Sequence, residues 1–253
     1  MSPVLAQQVL VSWEFNKDGD TEGWFPAHSL APFVVQGGTL KTSVTAGDPY
    51  MHASPGHSFD LEANDFQYIE LRMRHTDGKH AEFFWAATTE GKDAGFVAGK
   101  ERGFPCVPDG QWHVYHVYPL WQGRITRLRF DPPEKGEVEI DYIRIIQGEQ
   151  STHDPKSPEW NFIGTGAGWV ASIGGTHLTA STDGARTQLT SERLVLVGPR
   201  VDLKASDYRY ALLQLQATGP LTAGLYWAST DDANFPACNI ETVDVPADPF
   251  STN

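Results

Sequence analysis

The chain has 253 residues, a formal net charge of −13, 24 Gly, 17 Pro and 11% aromatic residues. A balance this acidic repels phosphate backbones and argues against a general nucleic-acid binder. No run approaches the roughly 20 apolar residues that a membrane-crossing helix needs, so no membrane span is expected. The two cysteines, Cys106 and Cys238, sit in no CxxC pair and read as packing residues rather than as a disulfide scaffold or zinc cluster.

In chain order, residues 1–10 read either as the remnant of a secretory leader or as an untidy start ahead of the first strand. From residue 11 the dominant period is two. In Tyr68-Ile-Glu-Leu-Arg-Met-Arg74, Ile69, Leu71 and Met73 fall on one face and Glu70, Arg72 and Arg74 on the other, which predicts a half-buried strand. Ile125–Phe130 and Val138–Ile145 read the same way, and Gly37-Gly38, Asp77-Gly78 and Asp109-Gly110 supply turn chemistry between such runs. No apolar stripe of helical period outlasts one turn. Short strands with Gly and Pro turns predict an all-β chain whose residues 11–147 form an antiparallel β-sandwich, or jelly roll.

A polar run over 148–159, holding Pro155 and Pro158, reads as a short stiff linker. Beyond it the sequence repeats. Trp13-Glu-Phe and Gly23-Trp24 return as Trp160-Asn-Phe and Gly168-Trp169, Phe59–Tyr68 returns as Val201–Tyr210, and Ala81–Thr88 returns as Ala223–Thr230. Three blocks in the same order at a spacing of about 145 residues predict a tandem duplication, with Trp227 superposing on Trp85. The second copy, 160–253, has nothing matching Gln111–Tyr115, Trp121–Ile125 or Ile140–Ile143, so an incomplete second sandwich is expected. The chain thus reads as part of a longer polypeptide with further domains.

The ordered set Trp13-x-Phe, Asp18, Asp20, Gly23-Trp24, Gly47-Asp-Pro49, Asp109-Gly-x-Trp112, Trp121-x-Gly-x-Ile125, Leu128–Pro132 and Ile140–Ile145 resembles galactose-binding-like jelly-roll domains of the carbohydrate-binding-module type. The resemblance spans 13–147 and the first two thirds of a module after 160. It implies a non-catalytic pair of modules that bind polysaccharide and belong to a secreted or cell-surface protein of bacterial type. Such modules often hold a structural calcium between their first and last strands. The matching oxygen donors are Glu14, Asp18, Asp20 and Asp141, and the alternative is a plain polar turn before Gly23.

Sugar recognition needs rings for stacking and planar polar groups for hydroxyls. Trp13, Trp24 and Trp85 have counterparts in the repeat and are read as core; Trp112, Tyr115, Tyr118 and Trp121 have none, and of these Trp121, beside Pro119 and Gly123, is the best exposed candidate. Arg72, Arg74, Arg127 and Arg129 all point outward by alternation; on one shared sheet they would clamp an anionic polysaccharide, and the bland alternative is a solvated face paired with Glu70 and Glu82. A spacer that binds no sugar is the competing function. Catalysis ranks lower, because no nucleophile elbow, HExxH or phosphate loop occurs and His113 and His116 fall on opposite faces of a strand.

Overall fold

The computed structural model describes residues 8–53, 59–64, 66–88, 90, 95–119, 121–148, 153–164, 166–173, 175–176, 178–189, 194–199, 201–226 and 240–245. Trp227 and Cys238 lie outside them. By internal contact the chain divides into Met1–Leu203 and Lys204–Asn253.

Within the first unit the strands are β1 (Gln8–Trp13), β2 (Trp24–His28), β3 (Val34–Gln36), β4 (Thr39–Ser43), β5 (Tyr50–Ala53), β6 (Leu61–Glu62), β7 (Gln67–His75), β8 (His80–Ala86), β9 (Glu101–Pro105), β10 (His113–Val117), β11 (Arg124–Ile125), β12 (Arg127–Asp131) and β13 (Glu137–Gln147). They make two principal antiparallel sheets. One is six-stranded, β10-β7-β13-β4-β3 with β1 also on β13, and the other is five-stranded, β2-β5-β12-β8-β9. The chain is all-β here, as its period predicts.

The closing strand β13 organises the six-stranded sheet. It pairs along its length with β7, its first half pairs with β4, and its second half pairs with β1, where Trp13 faces Ile143. A bulge between Ile140 and Tyr142 inserts Asp141 and keeps Ile140, Ile143 and Ile145 on the inner side. Ile69, Leu71 and Met73 of β7 meet Phe83, Leu128 and Phe130 of the opposite sheet in one core, all fully buried. Each such side chain contributes about 1.5–3 kcal/mol by leaving water, so the alternating pattern of β7 fixes which face turns inward.

His75 ends β7 on that inner side and is 1% exposed. Its Nδ1 lies 3.1 Å from the Asp77 carbonyl, and its Nε2 is buried without a hydrogen-bond partner. Burial lowers its pKa below the usual 6.5. An unfolded histidine takes up a proton near pH 6.5 while His75 resists it, so the folded state loses stability as pH falls from about 6.5 toward the lowered value. Melting midpoints should fall between pH 7.5 and 5.5, and the fall should be shallower in His75→Leu.

Four further strands of the first unit lie beyond 160: β14 (Val170–Ile173), β15 (Thr179–Ser181), β16 (Gly184–Arg186) and β17 (Val195–Val197), paired β14 with β17 and β15 with β16. Val170 packs against a small cluster of Tyr68, Tyr118 and Ile146 on the outer side of the six-stranded sheet. The linker is anchored as well, its Pro155 carbonyl accepting the Asp202 N–H at 2.7 Å. In the second unit β18 (Leu221–Tyr226) pairs with β19 (Ile240–Val245).

Candidate functional site

The four arginines do not share a face. Arg72 and Arg74 stand on β7 of the six-stranded sheet, whereas Arg127 and Arg129 stand on β12 of the five-stranded sheet. Alternation alone carries no information on which sheet a strand joins. Arg74 is held by Glu139 at 2.9 Å and Arg72 by Asp141, and both guanidinium groups lie 4.9 Å from the Trp112 ring. Lys41 joins Glu139 at 3.2 Å, and Arg144 bridges Glu14 and Glu70. This face is a closed ion-pair lattice, partly covered by Val170, with little charge left for a ligand.

Trp121 is not an exposed platform. It is 1% exposed, its Nε1 donates to Gln67 Oε1 at 2.8 Å, and its ring stands edge-on to Trp85 at 6.0 Å. Trp121 precedes β11, which pairs with β6, and its indole packs in the same core cluster as Ile125 and Leu61 of those strands. Trp85, 6% exposed, is core as expected.

The proposed calcium ligands are also dispersed. Both Glu14 oxygens accept from Arg144 at 2.7 Å, Asp18 Oδ1 accepts the Gly37 N–H at 2.9 Å, Asp20 Oδ1 accepts the Glu22 N–H at 3.0 Å, and Asp141 pairs with Arg72. Among the described residues no group of three or more His, Cys, Asp or Glu could hold a metal ion. Calcium wants six to eight oxygens, and these carboxylates already have partners, so the residues do not fit it. The β1–β13 register, which pairs Ser12 with Arg144 and Trp13 with Ile143, brings the Arg144 guanidinium to Glu14, while Asp141 is spent on Arg72.

What the fold does assemble is the outer face of the five-stranded sheet. Opposed residues of adjacent strands share a face, and the register runs Phe25–His52–Arg129–Phe84–Glu101 across all five strands. At roughly 4.8 Å between strands this transverse row is about 19 Å long. A parallel row includes His28 and Tyr50 on β2 and β5, and Asp131 and Glu82 on β12 and β8. Phe25 is 37% exposed and meets the His52 ring edge-on at 4.3 Å, while His28 and Tyr50 stack at 5.3 Å.

Arg129 is the centre of the face. Its guanidinium is gripped by both Asp131 oxygens at 2.7 and 2.6 Å and lies 3.8 Å from the Tyr50 ring and 4.6 Å from the Phe84 ring. A planar cation held between two rings keeps those rings upright. Burial pushes the Asp131 carboxyl up to about 6 against the opposing pull of Arg129, which still leaves the pair charged at pH 7. Burial also lowers the His52 pKa, helped by Arg127 and Arg129, so its imidazole is neutral at pH 7. The Nδ1 of His52 lies 3.4 Å from the Ala53 carbonyl; with the proton assigned there, Nε2 is an acceptor. Arg127, 5% exposed, is withdrawn under Phe96, its guanidinium 4.7 Å from that ring. Exposed Phe25 and His28, half-buried Tyr50, His52 and Phe84, and a neutralised guanidinium therefore share the outer face, part of which Phe96 covers at 5.7 Å from the His52 ring.

No protein-family model matches the chain, and no curated protein matches it. Among solved structures it is similar to a family 29 carbohydrate-binding module complexed with cellulohexaose, at a TM-score of 0.41 and 14% identity, covering 56% of this chain and 92% of that one. It is also similar to a xylan-binding domain from Paenibacillus barcinonensis, at 0.37 and 15%, covering 57% and 98%. An endo-β-1,3(4)-glucanase of glycoside hydrolase family 16 gives 0.38 and 14%, covering 58% and 97%. At scores of this size the likenesses decide nothing about the face, and its geometry must.

Proposed function

We propose that the outer face of the β2-β5-β12-β8-β9 sheet binds a neutral polysaccharide and that the module acts by binding, without cleavage. The observation that carries this reading is the transverse row Phe25–His52–Arg129–Phe84–Glu101, with Tyr50 beside it. Pyranose rings present apolar C–H faces and a rim of hydroxyls, which suit ring platforms flanked by acceptors and donors. An anionic ligand suits this face less well, because Asp131 already neutralises Arg129 and both Glu82 and Glu101 add negative charge. Polymeric glycans of this kind are met outside the cell, and the chain works there as a targeting module of a larger polysaccharide-active or surface protein.

Two carboxylates of the face are engaged, Asp131 by Arg129 and Glu82 Oε1 by His80 Nε2 at 3.2 Å, and the Oε2 of Glu101 is buried away from the surface without a hydrogen-bond partner. Glycoside cleavage would need an acid and a second carboxylate free to reach one bond. Affinity electrophoresis tests the reading, with neutral β-glucans and xylan beside polygalacturonate. Retardation on a neutral polymer is expected to persist from 0.05 to 0.5 M NaCl, since screening acts on charges and not on stacking. No release of reducing ends should accompany it. Retention on polygalacturonate alone, lost with salt, would overturn the assignment.

A further inference from the structure

The outer face of the five-stranded sheet has two unlike flanks. On one side of the row Phe25–His52–Arg129–Phe84–Glu101, two residues along each strand and so about 7 Å away, Arg127 is paired with Ala86. By alternation both point outward with Arg129 and Phe84, yet Arg127 is 5% and Ala86 0% exposed. The other flank, with His28, Tyr50, Asp131, Glu82 and Gly103, is exposed or half-buried throughout.

Phe96 covers the first flank. Its ring is 4% exposed but belongs to neither apolar cluster of the first unit. It lies on the outer face, 4.7 Å from the Arg127 guanidinium and 5.7 Å from the His52 ring, to which it is tilted by 45°. The chain is fixed on both sides of the ring. Before it, Gly95 takes a left-handed φ of 86° and comes so close to Thr88 that a Cβ there would stand 2.6 Å from the Thr88 carbonyl oxygen. The same carbonyl accepts from Arg127 Nη1 at 3.3 Å, so one acceptor locates both the guanidinium and the residue that precedes the ring. After it, the Val97 carbonyl accepts the Lys100 N–H and the Lys100 carbonyl accepts the Trp85 N–H, each at 3.1 Å, which ties the turn to β8. The guanidinium packed against the ring adds to that hold.

We infer that Phe96 is a fixed wall along one side of the glycan face, and that it selects unbranched chains by excluding those whose side groups project toward Arg127. The inference rests on the glycan reading of this face and names the class of chain the face takes. A chain lying on the transverse row has Phe96 at one flank, beside His52, and open polar surface at the other, toward Tyr50 and Glu82. Successive rings of a β-1,4-linked chain alternate in orientation, so groups borne on neighbouring rings project to both flanks and one of them meets the wall. Selection of this kind is built against the wrong ligand rather than toward the right one.

The probes are linear β-1,4-gluco-oligosaccharides beside the same backbone with xylosyl branches, and linear β-1,4-xylo-oligosaccharides beside the same backbone with arabinosyl branches, each titrated into the full chain. The parent should prefer the linear member of the pair it binds by roughly tenfold or more, the size of a modest steric clash, and Phe96→Ala should bring the two members within about twofold. Phe96→Leu keeps the corner apolar with a shorter side chain; it should fall between, and it carries the test if the alanine variant melts early. A variant that is merely destabilised loses both ligands in proportion, so a preference retained by the folded variants would overturn the inference. Loss of the linear ligand at an unchanged melting midpoint would make Phe96 a stacking platform and overturn it too. Retardation of the parent on a neutral polymer, with no preference for the linear member of either pair, would overturn the wall and leave the glycan reading standing, whereas no retardation on any neutral polymer would overturn both.

Discussion

Alanine at both Phe25 and Phe84 should weaken binding to a neutral polysaccharide by roughly a hundredfold, about 2–3 kcal/mol from two lost stacking surfaces. Phe25 is the most open ring of the row and Phe84 also supports the Arg129 guanidinium at 4.6 Å, so the second substitution acts both directly and through that support. Neither ring belongs to the core between the sheets, so the melting midpoint should shift little. Isothermal titration beside a thermal melt checks both parts. Arg72→Ala/Arg74→Ala, on the opposite sheet, is the control and should bind as the parent does. If the control loses affinity and the double phenylalanine variant keeps it, the site lies on the other face.

Trp121→Ala should act on stability instead. Removing a buried indole costs about 3–5 kcal/mol through lost packing and an unfilled cavity, a fall of roughly 10 °C or more in melting midpoint for a module this size. The Gln67 carbonyl oxygen also loses its indole donor, and Trp85 loses its edge-on neighbour. Affinity per folded molecule at low temperature should be unchanged. A variant that melts normally but no longer binds would return Trp121 to the ligand site.

The sandwich was legible because burial enforces alternation: Ile69, Leu71 and Met73 could be assigned to the core from spacing alone. Sheet membership was not legible, since β7 and β12 show the same period and the partner of each is set by contacts far away in the chain. The acids around residue 18 looked like metal ligands because sequence shows charge but not the guanidinium that neutralises it. The rings of the site did leave a trace. Trp24-Phe25 and Phe83-Phe84-Trp85 place aromatic residues in succession, and on a strand successive side chains face opposite sides, so one ring of each group must face outward. The trace became decisive only when the register put Phe25 and Phe84 in one row with Arg129 between their strands.

The position of β13 has a consequence for biogenesis. The last strand of the first module to be synthesised is the one that pairs with β1, β4 and β7. Until residue 147 has left the ribosome, three earlier strands have open edges, and the β12 and β13 segments alone take roughly one to five seconds to make at 5–20 residues per second. Long-range pairing of this kind is slow even afterwards. The open edges of β1, β4 and β7 are therefore exposed to aggregation until β13 has been made and covers them.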